Sequence, residues 1–363
     1  MKKMTVLRTV LTLAMAAVIL FGMSGCGKQD AAPKRRDRET GISGTVTAVP
    51  TESAGAVTPE ATATPKADGE TKGKSTKPAD VLPVHRVTEV ARAEEGELKV
   101  IWLGHSSGLL QMGSRNILFD PVFTTQISPV GIGGLNRFSE VPLSAEDVPE
   151  IDVLFLSHDH YDHMDRGTIL AIDGRVGSYV VPDGADEILA GWGIAESKIH
   201  ALNPWESVTL YGVEFTMTPA QHTGGRGLGP GTLCGGVYMK DGAHVVYYTG
   251  DGGYGEHFSQ MYERLGAVDL LLAECGQYNE SWSKVHMFPE QTAQVAVDVH
   301  AEWMIPVHWG AFVLALHAWD DSVTRCTAAA AQLGVNIATP EIGQTVDYDE
   351  ISSYTAHWWE AYH

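Results

Sequence analysis

Apolar residues along this chain fall in short runs, and many of those runs close on a polar residue. "ELKVIWLGH" reads as a strand. "GLLQM" and "NILFDP", split by Gly113 and Ser114, read as a hairpin. "IDVLFLSH" is a continuous apolar run, the pattern of a strand covered on both faces. "RGTILAI" reads as a helix and "GSYVVP" as a strand; "DGADEILAGWG" is a short helix with Gly193 near its end. "SVTLYGVEFTMTPA" and "LCGGVYMKDGAHVVYYTGD" predict four more strands, turning at Gly212 and at Asp241-Gly242. "VDLLLAEC" and "WMIPVH" are strands around the helix "PEQTAQVAVDVHA", which Pro289 begins. "DSVTRCTAAAAQLG" is a helix stopped by Gly334. Strands dominate the first half and alternate with helices later. Two sheets faced by helices satisfy this order, an α/β architecture.

The pattern begins near Leu82. Residues 26–81 hold Thr, Ala, Pro, Gly, Lys and Glu with few large apolar side chains. Such a stretch cannot bury enough surface to offset its ordering entropy, so it predicts a disordered linker. Before it, "MKK" precedes the apolar run "LTLAMAAVILFGM", which is short for a membrane span. "MSGC" follows, ending at Cys26. The expected division is therefore a signal segment over 1–25, a linker over 26–81 and one large domain over 82–363.

Composition narrows the partners. Of 363 residues, 44% are hydrophobic, which is enough for a sizeable core. The formal net charge of -20 argues against a nucleic-acid partner, because phosphate backbones require clustered Lys and Arg. Beyond Cys26, the cysteines are Cys234, Cys275 and Cys326; an odd number cannot pair completely within one chain, and buried free thiols are expected.

The densest chemistry is "LSHDHYDHMD" at the end of the run "IDVLF". His158, His160, Asp162 and His163 form H-x-H-x-D-H, and imidazole and carboxylate are donors for borderline divalent ions such as zinc. In an extended loop, residues two apart face the same side, so His158 and His160 can share one ion. Asp162 and His163 turn towards a second position. His222 in "TPAQH", Asp251 in "VVYYTGD" and His308 in "MIPVH" likewise close apolar runs. Burying these groups unpartnered would cost several kcal/mol each, on the order of 2–7 for a neutral polar group.

These residues carry a resemblance. "WLGHSS", "FDPVF", "LSHDHYDHMD", "TPAQHTGGR", "GDGGY", "HMFPEQTAQVAVDVHA" and "VHWGAF" lie in the order found in the metallo-β-lactamase fold superfamily. Within it, about Lys99 to Phe312 resembles the branch containing N-acyl phosphatidylethanolamine phospholipase D. The resemblance implies an αββα four-layer sandwich with a metal site at one edge. It implies two Zn²⁺ ions, although another divalent metal suits the same donors. His158, His160 and His222 would bind the first ion, Asp162, His163 and His308 the second, and Asp251 both. His286 matches a histidine that contacts substrate or leaving group. "MSGC" resembles a lipobox, which implies cleavage before Cys26, a lipid on its sulfur, and an exported protein anchored on the outer face of the bacterial cytoplasmic membrane or the periplasmic side of an envelope.

The expected chemistry is hydrolysis of a phosphodiester, lactone or similar ester by a hydroxide shared between the ions, with Asp162 and His286 as catalytic residues. The substrate reading is a phospholipid. A lactonase or phosphoesterase for a small soluble molecule is the alternative, and a zinc-binding surface protein without turnover a third. His105 is expected beneath the metals, orienting a ligand. Tyr254, Gln221 and Arg226 are weaker rim candidates, and His244, His257 and His317 are expected at the surface. The chain departs from the phospholipase branch at "DGGY", "CGQYNESW" and "HTGGRGLGPGTLCGG", all around the expected pocket mouth.

Overall fold

The computed structural model describes residues 75–128, 134–226 and 231–362, with the backbone of Thr47–Ala48. The signal segment, Cys26 and most of the linker lie outside the described residues. The packed chain starts upstream of Leu82: the Trp319 amide donates to Ser75 O and the Ala79 amide to Tyr362 O.

Two seven-stranded sheets form the body. The strands of the first are β1 (Leu98–Trp102), β2 (Gly108–Met112), β3 (Arg115–Phe119), β4 (Ile151–Phe155), β5 (Val176–Pro182) and β6 (Ile199–Leu202), with β13 (Thr345–Asp347) beside β1. The second runs β7 (Glu206–Leu210), β8 (Val213–Pro219), β9 (Gly235–Lys240), β10 (Val245–Tyr248), β11 (Val268–Glu274) and β12 (Ala301–Val307), with Thr47–Ala48 paired to β7. The predicted hairpin registers at Leu110 opposite Ile117.

Alternation in the strands decides the layers. Leu98, Val100 and Trp102 of β1 enter the core between the sheets, where they meet Phe215, Val237, Leu272 and Ile305. Ile101 and Leu103 face the other way, under α1 (Arg166–Ile172) and α2 (Ala185–Gly191). On the far side, α3 (His257–Leu265), α4 (Pro289–Asp298) and α5 (Asp321–Leu333) cover the second sheet through Met261, Ala293, Val295, Cys326 and Ala330. The order is thus helix, sheet, sheet, helix. The expected α/β four-layer sandwich is what the chain forms. Helix α3, strand β6 and strand β13 were not anticipated, because each is short and bounded by polar residues that blur its period. Cys234, Cys275 and Cys326 are buried free thiols.

Parallel pairing positions the site. Strands β3, β4 and β5 run parallel, as do β10, β11 and β12. Their carboxyl ends therefore collect at one edge of the sandwich, where loops leave the sheets carrying polar side chains.

Candidate metal centre

Each site residue sits just beyond a strand. Strand β3 leads to Asp120, β4 to Ser157 and the His158–His163 loop, β8 to His222, β10 to Asp251, and β12 to His308. Strand β11 ends on Glu274 itself. The turn before Asp251 requires glycine: Gly250 has φ +61°, and a Cβ there would lie 2.9 Å from Gly235 O and from the Ser157 Cβ. His105, Asp120 and His308 also hold positive φ, at 54°, 41° and 69°. Such conformations cost about 1–3 kcal/mol each and persist where the surroundings fix them.

The side chains converge as two sets. In the first, His158 Nε2 lies 2.9 Å and His222 Nε2 3.3 Å from His160 Nδ1. In the second, Asp251 Oδ2 lies 3.1 Å from His163 Nε2 and 3.0 Å from His308 Nε2. Asp162 Oδ2 stands 3.5 and 3.7 Å from the same two nitrogens. Ligand atoms of His158, His163 and Asp251 lie within 4.8 Å of one another, which puts Asp251 between the sets.

The donor chemistry fits divalent cations. Among the described residues, Asp251 Oδ1 is buried without a hydrogen-bond partner, and His163 Nε2 and His308 Nε2 are buried with only the close Asp251 and Asp162 carboxylates beside them and no well-aligned hydrogen bond. Native interiors rarely leave such atoms unsatisfied, and three around one point mark a place for a cation.

Buried partners behind the sets aim the rings. Asp120 accepts from the Ser157 amide at 2.8 Å, from the Tyr248 hydroxyl at 2.6 Å and from His163 Nδ1 at 2.8 Å. This turns His163 Nε2 inward. Asp120 also accepts from the Ser157 hydroxyl, whose oxygen lies 2.9 Å from His158 Nδ1. His105 Nε2 meets Asp162 Oδ2 at 2.9 Å. His222 Nδ1 donates to Val285 O at 2.8 Å, and His308 Nδ1 to Gly276 O at 3.2 Å. Such outer contacts fix tautomer and ring plane.

A family model for the β-lactamase superfamily domain matches residues 115–309, which spans all of these strand ends except His105. The chain belongs to the metallo-β-lactamase superfamily. An uncharacterized protein of Mycobacterium tuberculosis is 34% identical over 278 residues, 75% of this chain and 74% of the relative. N-acyl-phosphatidylethanolamine-hydrolyzing phospholipase D 1 of Caenorhabditis elegans is 31% identical, covering 64% of this chain and 69% of that protein. Among solved structures, a metallo hydrolase from the archaeon Ignicoccus hospitalis has the same fold, with a TM-score of 0.55 at 20% identity over 69% of this chain and 98% of that one.

Electrostatics divide this superfamily site in two. Burial lowers the His158 and His222 pKa values well below the ordinary imidazole range, and neighbouring rings, His163 and His286 respectively, add to the effect. Both rings are therefore neutral, the form that binds metal. Burial works in the same direction at His308, but Asp251 and Asp162 overcome it and push the pKa up to about 10. His163 is raised too, by Asp251 and Asp162 against burial. Burial would raise Asp162 and Asp251, yet the facing His163 holds both carboxyls well below their usual range.

His286 is buried against the same edge. Its ring lies 5.0 Å from His222 and 5.6 Å from His308, centroid to centroid, and Nδ1 bonds to Glu274 Oε1. Arg226 stacks on Tyr161 at 4.2 Å and donates to Met164 O at 2.6 Å, clamping the ligand loop at the rim. Gln221 donates to Lys284 O at 2.6 Å and braces the segment before His286. Tyr254 donates to Asp298 of α4 at 2.5 Å, so its hydroxyl is committed to that helix and not to the rim. His244, His257 and His317 are half-buried rather than on the surface, because neighbours cover their rings: His244 bonds Gly96 O at 2.9 Å, His257 packs on Phe258 at 4.0 Å, and His317 stacks on Tyr278 at 4.3 Å.

Sequence reasoning missed Asp120 and Glu274 as site residues. "FDPVF" and "VDLLLAEC" were read as motif and strand. The signal available was the same one that found His308, a charged residue closing an apolar run.

Proposed function

We propose that this metal-dependent hydrolase of the metallo-β-lactamase superfamily is a zinc phosphodiesterase of the N-acyl phosphatidylethanolamine phospholipase D type. The observation that carries the reading is His286, which stands against His222 and His308, close to Asp251 and Glu274, and outside the seven residues that the resemblance gives to the ions. Phosphodiester cleavage needs a proton for the departing oxygen, and a ring at this place can supply it. The phospholipase relatives of worm and yeast, 31% and 27% identical, point the same way.

In this reading His158, His160 and His222 would hold one ion and Asp162, His163 and His308 the other, with Asp251 placed between the two sets. When bound, the ions supply Lewis acidity and lower the pKa of water to about 7. Asp162, kept anionic by its histidines, accepts the proton of the attacking water. His286 gives a proton to the leaving group. Asp120 and His105 keep His163 and Asp162 from turning away. Val122, Ile127, Ala311 and Phe312 form a buried apolar cluster, against which Leu135, Tyr161 of the ligand loop and Leu314 pack. A lipid on Cys26 would hold such an enzyme at the outer face of the membrane, beside its substrate.

The test is incubation of purified protein with vesicles of defined N-acyl phosphatidylethanolamine, following phosphatidic acid and N-acylethanolamine by mass spectrometry. Release of both, slowed about 10²–10⁴-fold in His286→Ala with metal retained, supports the reading. Turnover of lactones or small phosphate esters with intact phospholipid would replace it with the soluble-substrate hydrolase. Unchanged membrane fractionation of Cys26→Ala would remove the anchor.

A further inference from the structure

Glu274 is a fully buried carboxylate at the end of β11, in a chain segment the ligand assignment does not use. Its two oxygens have different partners. Oε2 accepts the Gly252 amide at 2.7 Å, directly after Asp251. Oε1 meets His286 Nδ1. Ligand atoms of Asp251, Glu274, His286 and His308 lie within 4.8 Å of one another. A second carboxylate this close to Asp251 is unfavourable by charge alone, since two buried like charges destabilise each other. An apolar residue closing β11 would have continued the run "VDLLLA" at no such cost. The carboxylate therefore calls for a role that only an acceptor can fill.

We propose that Glu274 is a positioning residue: its carboxylate accepts the hydrogen bond of His286 Nδ1–H, fixes the ring plane and presents Nε2, with the proton it is to give, to the substrate's leaving group. The inference rests on the reading of His286 given above. The geometry explains why a carboxylate is needed. Gly252 N–H is a backbone donor that cannot adapt, and His286 Nδ1–H is a donor facing the other oxygen. An acceptor-only group satisfies both. A glutamine has one oxygen and one NH₂. Its oxygen must face Gly252, so its NH₂ faces His286 and demands a bare Nδ1. The ring's one proton then sits on Nε2, and giving it to the leaving group would leave an imidazolate, whereas a ring whose Nδ1–H is held by Glu274 gives up an Nε2 proton and stays neutral.

The experiment compares full-length wild type, Glu274→Gln, His286→Ala and the double variant. Long-range proton–nitrogen correlations locate the His286 protons, with the signal assigned by its absence in His286→Ala. Wild type is expected to carry a proton on Nδ1, and Glu274→Gln to lose it. Metal content of Glu274→Gln stays at the wild-type level. With vesicles of N-acyl phosphatidylethanolamine, whose departing alkoxide needs a proton, kcat of Glu274→Gln falls about 10–100-fold while KM changes little. The double variant is no slower than His286→Ala, because Glu274 acts only through that ring. A wild-type ring without a proton on Nδ1, a proton retained there in Glu274→Gln, or losses that multiply in the double variant would each overturn the proposal. Full activity of His286→Ala is a separate result: it overturns the leaving-group assignment, while the tautomer measurement still decides whether Glu274 positions the ring.

Discussion

His158, His160 and His222 meet as three imidazoles, whereas His163 and His308 face two carboxylates, Asp162 and Asp251. The rings of the first set are driven to the neutral form by burial. Those of the second carry protons that a cation must displace. Each set mixes backbone and side-chain supports. In the first set, His222 hangs from a backbone carbonyl, Val285 O. In the second, His163 leans on the buried carboxylate of Asp120 and Asp162 on the ring of His105. His308 of the second set also hangs from a backbone carbonyl, Gly276 O, and His158 of the first is backed by the Ser157 hydroxyl, so the buried carboxylate of Asp120 behind His163 is what sets the second apart. Asp251 is the point they share.

The sharpest way to break this comparison is at the shared point. Asp251→Ala should lose metal at both sets and activity together, since the carboxylate that stands between them is gone. Elemental analysis and turnover of the same preparation check it; a variant that keeps its metal would show the sets to be independent. One step smaller, His222→Ala and His308→Ala should each remove about one ion per chain and leave the other set occupied. Loss of both ions in either variant would mean that the sets fill only as a unit.

Asp120→Asn probes the supports. It keeps the shape, but places an NH₂ among donors from Ser157, Tyr248 and His163. The expected loss is about 10–100-fold in metal affinity or activity. Truncation to Ala would instead strand those donors, at about 1–3 kcal/mol of stability for each one left unsatisfied, and a thermal unfolding scan would read it. An Asp120→Asn protein with wild-type metal affinity would reduce the brace to a packing contact.

Much of this was legible in the sequence. A ligand at the end of a strand is a polar residue closing an apolar run, and His158, His222, Asp251 and His308 all announce themselves that way. The layers followed from alternation, as in β1. What could not be read is who stands behind whom. Tyr248 reaches Asp120 across 128 residues of sequence and from the other sheet. Glu274 finds His286 only because β11 runs parallel between β10 and β12. Tyr254 looked like a rim residue by its place in "DGGY", but its hydroxyl is taken by Asp298, on a helix whose packing the local sequence does not encode. Donor residues are a property of the chain; their supports are a property of the fold.

The central claim is that two ligand sets share Asp251, and metal stoichiometry tests it most directly. Protein purified without chelator and dialysed against metal-free buffer should retain about two zinc-like ions per chain, since the seven donors exceed the four that one tetrahedral ion takes. His222→Ala should retain about one. A wild-type chain that holds a single ion or none, and gains nothing when divalent metal is added, would contradict the account.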